Sequence, residues 1–503
     1  MKKAATLLAL LVFAAGQVFA QTNTARVFNL EEAIEYALTN SFSIKSIGLS
    51  LEAARQNLTA REGAFKLNAD LSLVAPNYAE TFEPDRTPGA LNQYFSYGAT
   101  LYRGQLNINQ PLPSDGVFTL DTRLYRDLNS VRQANLTNEQ VEFFTSVGLR
   151  FQQPLFTVNT LKLGLEQADL SYQRSTLQLQ RTELDVIFSV TQAFLNLYRA
   201  TRELEIRENE LEQQKQAYDL ASKKFAAGLI PEVDALQTEV DLAQSQNRMF
   251  TAQTALQRQE DIFKQIIGLS LSQAVGVRTD ISYQPFEIDL SQAVAFALEN
   301  RSEIREARID KRLRELDIKE VDARSSFRAN ISAFYDLSGV SNPELPLSTG
   351  PYDLFKSSWE DLKDRPRNKG ISLTFSMPLW DSGVNRAEVA AAQARIDQAE
   401  LDLENESITV QREIKDVVSR VLEARNRLEV LEKSQNVAER SYEISLARFN
   451  NGDITTQDLA LDRDRLTQAR STFLDAYIDY QVAVADLKRK TLYDFEKNVS
   501  LAK

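Results

Sequence analysis

Apolar positions along this chain change period in a fixed order, and the order occurs twice. From Asn29 to about residue 65 the spacing is helical, with Asn29 placed as N-cap and Glu32 three residues later as its capping-box partner. The period then drops to two. Leu67, Ala69, Leu71, Leu73 and Ala75 alternate with Asn68, Asp70 and Ser72, which predicts a strand over about 66–76. A helix over 291–326 and a strand over about 327–337 (Ala329, Ile331, Ala333, Tyr335) repeat the sequence of events. Further alternation marks strands at about 145–155 and 370–380, where Ile371, Leu373, Phe375, Met377 and Leu379 oppose Ser372, Thr374 and Ser376. Such strands suit a membrane barrel, and a half-buried strand of a soluble sheet alternates in the same way. They end in Pro154-Leu155-Phe156 and Pro378-Leu379-Trp380, where proline is expected to end the ladder. The first half alone carries an extra hairpin, 98–126, around a turn at Pro113 to Gly116.

Long helices follow each strand block. Val186, Val190, Ala193, Leu197, Ala200 and Leu204 form a heptad seam, matched by Val410, Ile414, Val417, Val421, Ala424, Leu428 and Leu431. The helices are expected at about 157–225 and 384–449, each a rod of roughly 100 Å. They turn at Phe225-Ala226-Ala227-Gly228 and Phe449-Asn450-Asn451-Gly452, where the glycines are natural left-handed caps. Return helices are expected at about 232–268 and 456–494.

The copies keep constant offsets. Ala33, Ala37, Ile44, Ala69 and Leu71 match Ala293, Ala297, Ile304, Ala329 and Ile331, 260 residues on. Leu149, Phe151, Pro154, Phe225, Gly228, Ile230 and Asp234 match Leu373, Phe375, Pro378, Phe449, Gly452, Ile454 and Asp458, 224 residues on. The chain is thereby parsed into a first repeat at 21–275 and a second at 276–503, behind a signal peptide at 1–20 with Lys2 and Lys3, an apolar core and a Val18-Phe19-Ala20 cleavage site.

Composition narrows the function. The chain has no Cys and no His, which removes disulfides, thiol nucleophiles, imidazole or thiolate metal sites and His-based acid–base chemistry. No nucleophile–base pairing, phosphate loop or metal-ligand cluster stands out, so no enzyme, cofactor or metal is expected. A net charge of −12 with interspersed signs argues against a nucleic-acid partner. No run of eighteen apolar residues follows the signal, so any membrane crossing must be a barrel. Four strands, or six with the hairpin, fall short of the roughly eight a membrane barrel needs. The expected solution is a symmetric oligomer whose strands close one barrel, of 12 or 18 strands in a trimer.

The duplicated strand-to-rod junctions and the two Phe-x-x-Gly-x-Ile-x-x-x-Asp turns resemble the TolC-type outer-membrane efflux channels, over essentially all of the mature chain. That resemblance implies a mainly α fold with a membrane β-barrel: a duplicated helix–strand–long helix–helix unit forming a trimeric α-barrel continued by a shared β-barrel. It implies a homotrimer in outer-membrane lipid, extending into the periplasm, that works with a periplasmic adaptor and an inner-membrane pump as the exit duct of a tripartite efflux or type I secretion system. It places Gly228, Leu229, Ile230, Gly452, Asp453 and Ile454 at adaptor-contact turns. Two aspartates past the second turn ring the closed entrance in such channels. Asp458 matches the first, whereas the second position is Leu461, with Asp462 one residue later; Asp234 is the first-half counterpart of Asp458. The alternative is a periplasmic coiled-coil adaptor or structural protein, which also carries helical hairpins and β segments but lacks the duplication. The exported substrate and the pump class stay open at this level.

Overall fold

The computed structural model describes residues 26–84, 94–133, 136–278, 286–451 and 453–501. The expected signal peptide and Gly452 lie outside the described residues. The chain divides into two units. One holds residues up to Ser50, Thr176–Glu306 and Leu403 onward; the other holds Leu51–Ser175 and Ala307–Asp402.

In the first unit, a short strand β1 (Arg26–Phe28) leads into α1 (Leu30–Asn40). Asn29 caps this helix as its spacing requires: its side chain accepts from the Glu32 amide at 2.7 Å, and Glu32 accepts from the Asn29 amide at 3.1 Å. The helix expected to run on to residue 65 breaks at Ser41, and a second helix, α2 (Phe42–Gly63), begins anew, its residues from Leu51 on belonging to the second unit. Ser41 is extended (ψ 146°), and its hydroxyl accepts from the Ile44 amide, a cap-like bond that favours restarting the helix. Past α3 (Thr160–Ala226) and α4 (Glu232–Ile267), a three-residue β6 (Val275–Val277) pairs parallel with β1. The sequence pattern showed nothing at this position. The second copy breaks in the same way: Asp289 caps α5 (Leu290–Asn300), and α6 (Ser302–Ala323) restarts after Arg301. The remaining helices are α8 (Val384–Asn451), which belongs to this unit from Leu403 on, and α9 (Thr456–Thr491).

The heptad seams become two parallel cores. Val186, Val190, Ala193 and Leu197 of α3 pack with Ala33 and Ala37 of α1 and Phe263 and Ile267 of α4. Val410, Ile414, Val417 and Val421 of α8 pack with Ala293 and Ala297 of α5 and Tyr480, Val484 and Leu487 of α9. The small residues at equivalent positions, Ala33/Ala293 and Ala37/Ala297, are fully buried, which lets each short helix approach its rod closely.

The second unit is built on a six-stranded antiparallel sheet. It contains β2 (Asn68–Pro84), β3 (Tyr94–Pro111), β4 (Val117–Gln133), β5 (Leu136–Leu155), β7 (Arg328–Val340) and β8 (Asn368–Ser376), hydrogen-bonded in that order. Most of these strands are longer than the alternation suggested. The extra hairpin lies inside the sheet, between β2 and β5. Its turn is pinned by Asp115, whose carboxylate accepts from the Thr160 and Leu161 amides at the start of α3, a favourable place for an anion. Proline does not end β5 as expected: Pro154 and Leu155 still pair with Asn330 and Ala329. α7 (Pro351–Asp364) was not foreseen. Its buried residues Leu354, Ser358 and Leu362 recur every fourth position, and Ser358 donates to Thr145 of β5 at 2.6 Å.

The pairing register separates two faces. Along one row, Ala69, Ile108, Leu120, Leu149 and Tyr335 are successive partners. One step along the strands, on the opposite face, the row reads Asp70, Asn107, Asp121, Gly148, Asp336 and Asn368. Ion pairs join that polar face, with Arg150 reaching Asp121 at 2.8 Å and Asp336 at 3.9 Å. No helix among the described residues is long and apolar enough to cross a membrane.

Candidate functional site

Two hairpin tips and the start of α9 hold the candidate residues, all within the first unit. At the first tip, α3 ends in the bonding pattern its glycine predicts. The Gly228 amide donates to the Phe225 carbonyl at 2.8 Å and the Leu229 amide to the Lys224 carbonyl at 2.8 Å. Gly228 is left-handed (φ 74°), as a helix-ending glycine should be. Leu229 is exposed and Ile230 half-buried. At the second tip the Asp453 amide donates to the Arg448 carbonyl at 2.9 Å, the same bond 224 residues on. Asp453 is exposed and Ile454 half-buried. The tips touch each other. The Lys224 ammonium lies 4.1 Å from the centre of the Phe449 ring and reaches the Phe449 carbonyl at 3.5 Å. This clasp was not foreseen, because nothing in the spacing pairs two residues 225 positions apart.

The acidic candidates separate by environment. Asp458 is the third residue of α9 and forms a capping box with Thr455. The Asp458 carboxylate accepts from the Thr455 hydroxyl at 2.7 Å and its amide at 3.0 Å, and the Asp458 amide donates to the Thr455 hydroxyl at 3.1 Å. The Thr455 hydroxyl, and after it the Thr455 amide, hold the Asp458 carboxyl below its ordinary value. The group is exposed and ionised at neutral pH. The signal for this cap, Thr-x-x-Asp, was present in the sequence. Asp462 faces inward instead. It accepts from Ser445 on α8 at 2.5 Å and pairs with Arg465 at 3.1 Å. Leu461, at the position where a second acidic ring would fall, is exposed. Asp234 is half-buried in the first turn of α4, and its amide donates to the Pro231 carbonyl. Thus the Asp458 carboxylate is exposed and closes the cap of α9, whereas the Asp462 carboxylate is half-buried and bonded to α8.

Two apolar rows on the helices that lead to these tips are exposed among the described residues of the single chain. On α4, Val233, Leu236 and Val240 recur at steps of three and four. On α8, Val430, Val437 and Ile444 recur every seven residues, each more than half exposed. Heptad rows of this kind are built to meet another helix. Among the described residues no cluster suited to a metal ion occurs.

Comparison with known proteins bears directly on this arrangement. The sequence profile of the family described as "Outer membrane efflux protein" matches residues 118–269 and 294–491, well over half of the chain. Outer membrane protein OprJ of Pseudomonas aeruginosa is 26% identical over 331 residues. The match spans 63% of each chain. Among solved structures, the Campylobacter jejuni CmeC outer membrane channel is similar with a TM-score of 0.68 at 16% identity, covering 94% of this chain and 87% of that one. The outer membrane protein VceC of Vibrio cholerae gives a TM-score of 0.63 at 16% identity, over 92% and 95% of the two chains. At these identities the structural likeness establishes the fold.

Proposed function

Because this chain belongs to the outer membrane efflux protein family, whose members are channel proteins, we propose that it is the exit duct of a tripartite efflux or type I secretion system. The protein resides in the outer membrane and extends into the periplasm. In this reading three copies assemble, the apolar face of the sheet meets outer-membrane lipid, and the helices continue the conduit. A periplasmic adaptor docks at the turns around Gly228–Ile230 and Gly452–Ile454, and an inner-membrane pump drives transport. The chain makes and breaks no bond, and nucleic acid is not a partner.

The observation that carries this reading is the sheet itself. Its two faces are segregated row by row, and among the described residues both of its edges are open. An open edge cannot stand in lipid, where no water satisfies the backbone, so copies must close it. The exposed heptad rows on α4 and α8 ask for the same neighbours. The test is to express the full-length chain, separate the membranes and weigh the detergent-extracted particle. A three-chain outer-membrane particle is expected, and a soluble periplasmic monomer would overturn the duct and favour a coiled-coil adaptor.

At the entrance, Asp458 supplies three carboxylates around the pore, which attract cations. In planar bilayers, Asp458→Asn should lower cation preference over anions, while Thr455→Val, which removes the hydroxyl of the cap and keeps the charge, should leave it near the parent value. Equal loss in both variants would assign Asp458 to helix capping alone.

A further inference from the structure

Among the described residues the sheet ends in two unpaired edges, β2 and β8. Six strands alternate in direction, so the two edges run antiparallel to each other. A second copy's β2 can therefore extend β8 by the same kind of ladder that joins every other pair in the sheet.

The duplication specifies the register of that join. β5 and β8 are equivalent at an offset of 224, and β7 and β2 at an offset of 260. Within one chain the first repeat already meets the second through β5 and β7, with Gln152 opposite Ser332 and Phe151 opposite Ala333. Adding 224 to the first member and subtracting 260 from the second (152 to 376 and 332 to 72, 151 to 375 and 333 to 73) gives the next junction, from second repeat to first. It puts Ser376 opposite Ser72 and Phe375 opposite Leu73. The faces agree independently. Leu73 and Phe375 lie on the apolar face through their partners Gly104 and Ala329, whereas Ser72 and Ser376 lie on the polar one. A slip of one residue would turn every side chain of one strand to the wrong side.

We propose that β8 of one copy pairs with β2 of a second copy of this chain in this register, and that three copies of the six-stranded sheet close an eighteen-stranded barrel. The copy number rests on the trimeric duct proposed above; the register rests on the duplication. The hairpin β3–β4 is then part of the wall. It makes the barrel roughly half again as wide as four strands per copy would, because diameter grows about linearly with strand number. With the apolar face toward lipid, the polar face that carries Asp121 of β4 and its partner Arg150 of β5 turns to the interior.

The absence of cysteine makes the test clean. Ser72→Cys/Ser376→Cys and Leu73→Cys/Phe375→Cys are each produced as full-length chains in outer membranes, oxidised, and run on denaturing gels without reductant. Adjacent pairs in an antiparallel ladder alternate between the closer and the wider spacing, so two variants cover both geometries. At least one should give a ladder ending at three covalently joined chains, collapsed by reductant. Ser72→Cys/Thr374→Cys, on the same face but two residues out of register, should cross-link far less. A three-chain particle in which neither in-register pair cross-links, or in which the out-of-register pair does so better, overturns the join. A ladder ending at two or four chains overturns the eighteen strands. A chain that never forms an outer-membrane oligomer overturns the duct instead.

Discussion

Arg301→Met is expected to lower the stability of the first unit by about 3 kcal/mol, the low end for breaking a buried ion pair. Arg301 stands at the break between α5 and α6 with only 11% of its side chain exposed. It binds Glu303 at 2.6 Å and Glu413 of α8 at 2.8 Å. Burial opposes the charge on both carboxyls, yet the hydrogen bond and charge of Arg301 outweigh it and hold both below their ordinary value of 4.5. Methionine fills a similar volume but leaves two partly buried carboxylates, with Lys490 at 3.8 Å from Glu413 and Arg181 at 3.8 Å from Glu303 as partial relief. A group whose folded value is depressed adds stability that is present above its unfolded value and lost as pH falls through the folded one. Stability of the parent should therefore fall as pH drops from about 4.5 downward. The variant should start lower at neutral pH and lose less across that window. Denaturant midpoints measured from pH 7 to pH 3 check both parts; parallel curves for parent and variant would refute the assignment.

Repeats and rods were legible in the sequence because both are periodic. The buried faces of α3 and α8 are the residues the heptads nominated, from Val190 and Leu197 to Ile414 and Val417, and Asn29 caps α1 as spacing alone required. Two kinds of feature escaped. Local breaks did, since Ser41 and Arg301 interrupt helices whose apolar spacing continues across them, and the cost of the break is met by contacts from elsewhere in the chain. So did α7, whose Gly350-Pro351 start and Leu354, Ser358 and Leu362 spacing were readable but are set between two strands of one sheet. At the hairpin tips, the spacing located the left-handed glycine that ends α3, Gly228, and a carboxylate that is exposed, Asp458. The Lys224–Phe449 clasp, the Ser445–Asp462 bond and the Arg301 cluster join residues from different helices, and no periodicity encodes such pairs.

The break at Ser41 also sets the second large effect. Gly268 ends α4 in the left-handed region (φ 78°), donating its amide to the Gln265 carbonyl while Leu269 donates to Lys264. A methyl group there would lie 2.5 Å from the Asn40 carbonyl oxygen and 2.8 Å from its carbon, both backbone atoms at the end of α1. Gly228 has the same conformation (φ 74°) with open space around it. The pair separates two costs. Gly228→Ala carries only the left-handed penalty, about 1 kcal/mol. Gly268→Ala adds displacement of the α1 backbone from the Phe28, Phe263 and Ile267 core, for a total of about 3 kcal/mol or more. Denaturant unfolding of the two variants side by side reads the difference. If both lose the same amount, the close approach of α1 to Gly268 is not what selects glycine there; if Gly268→Ala alone shifts strongly, the seat of the interrupted helix on the end of α4 is what the residue preserves.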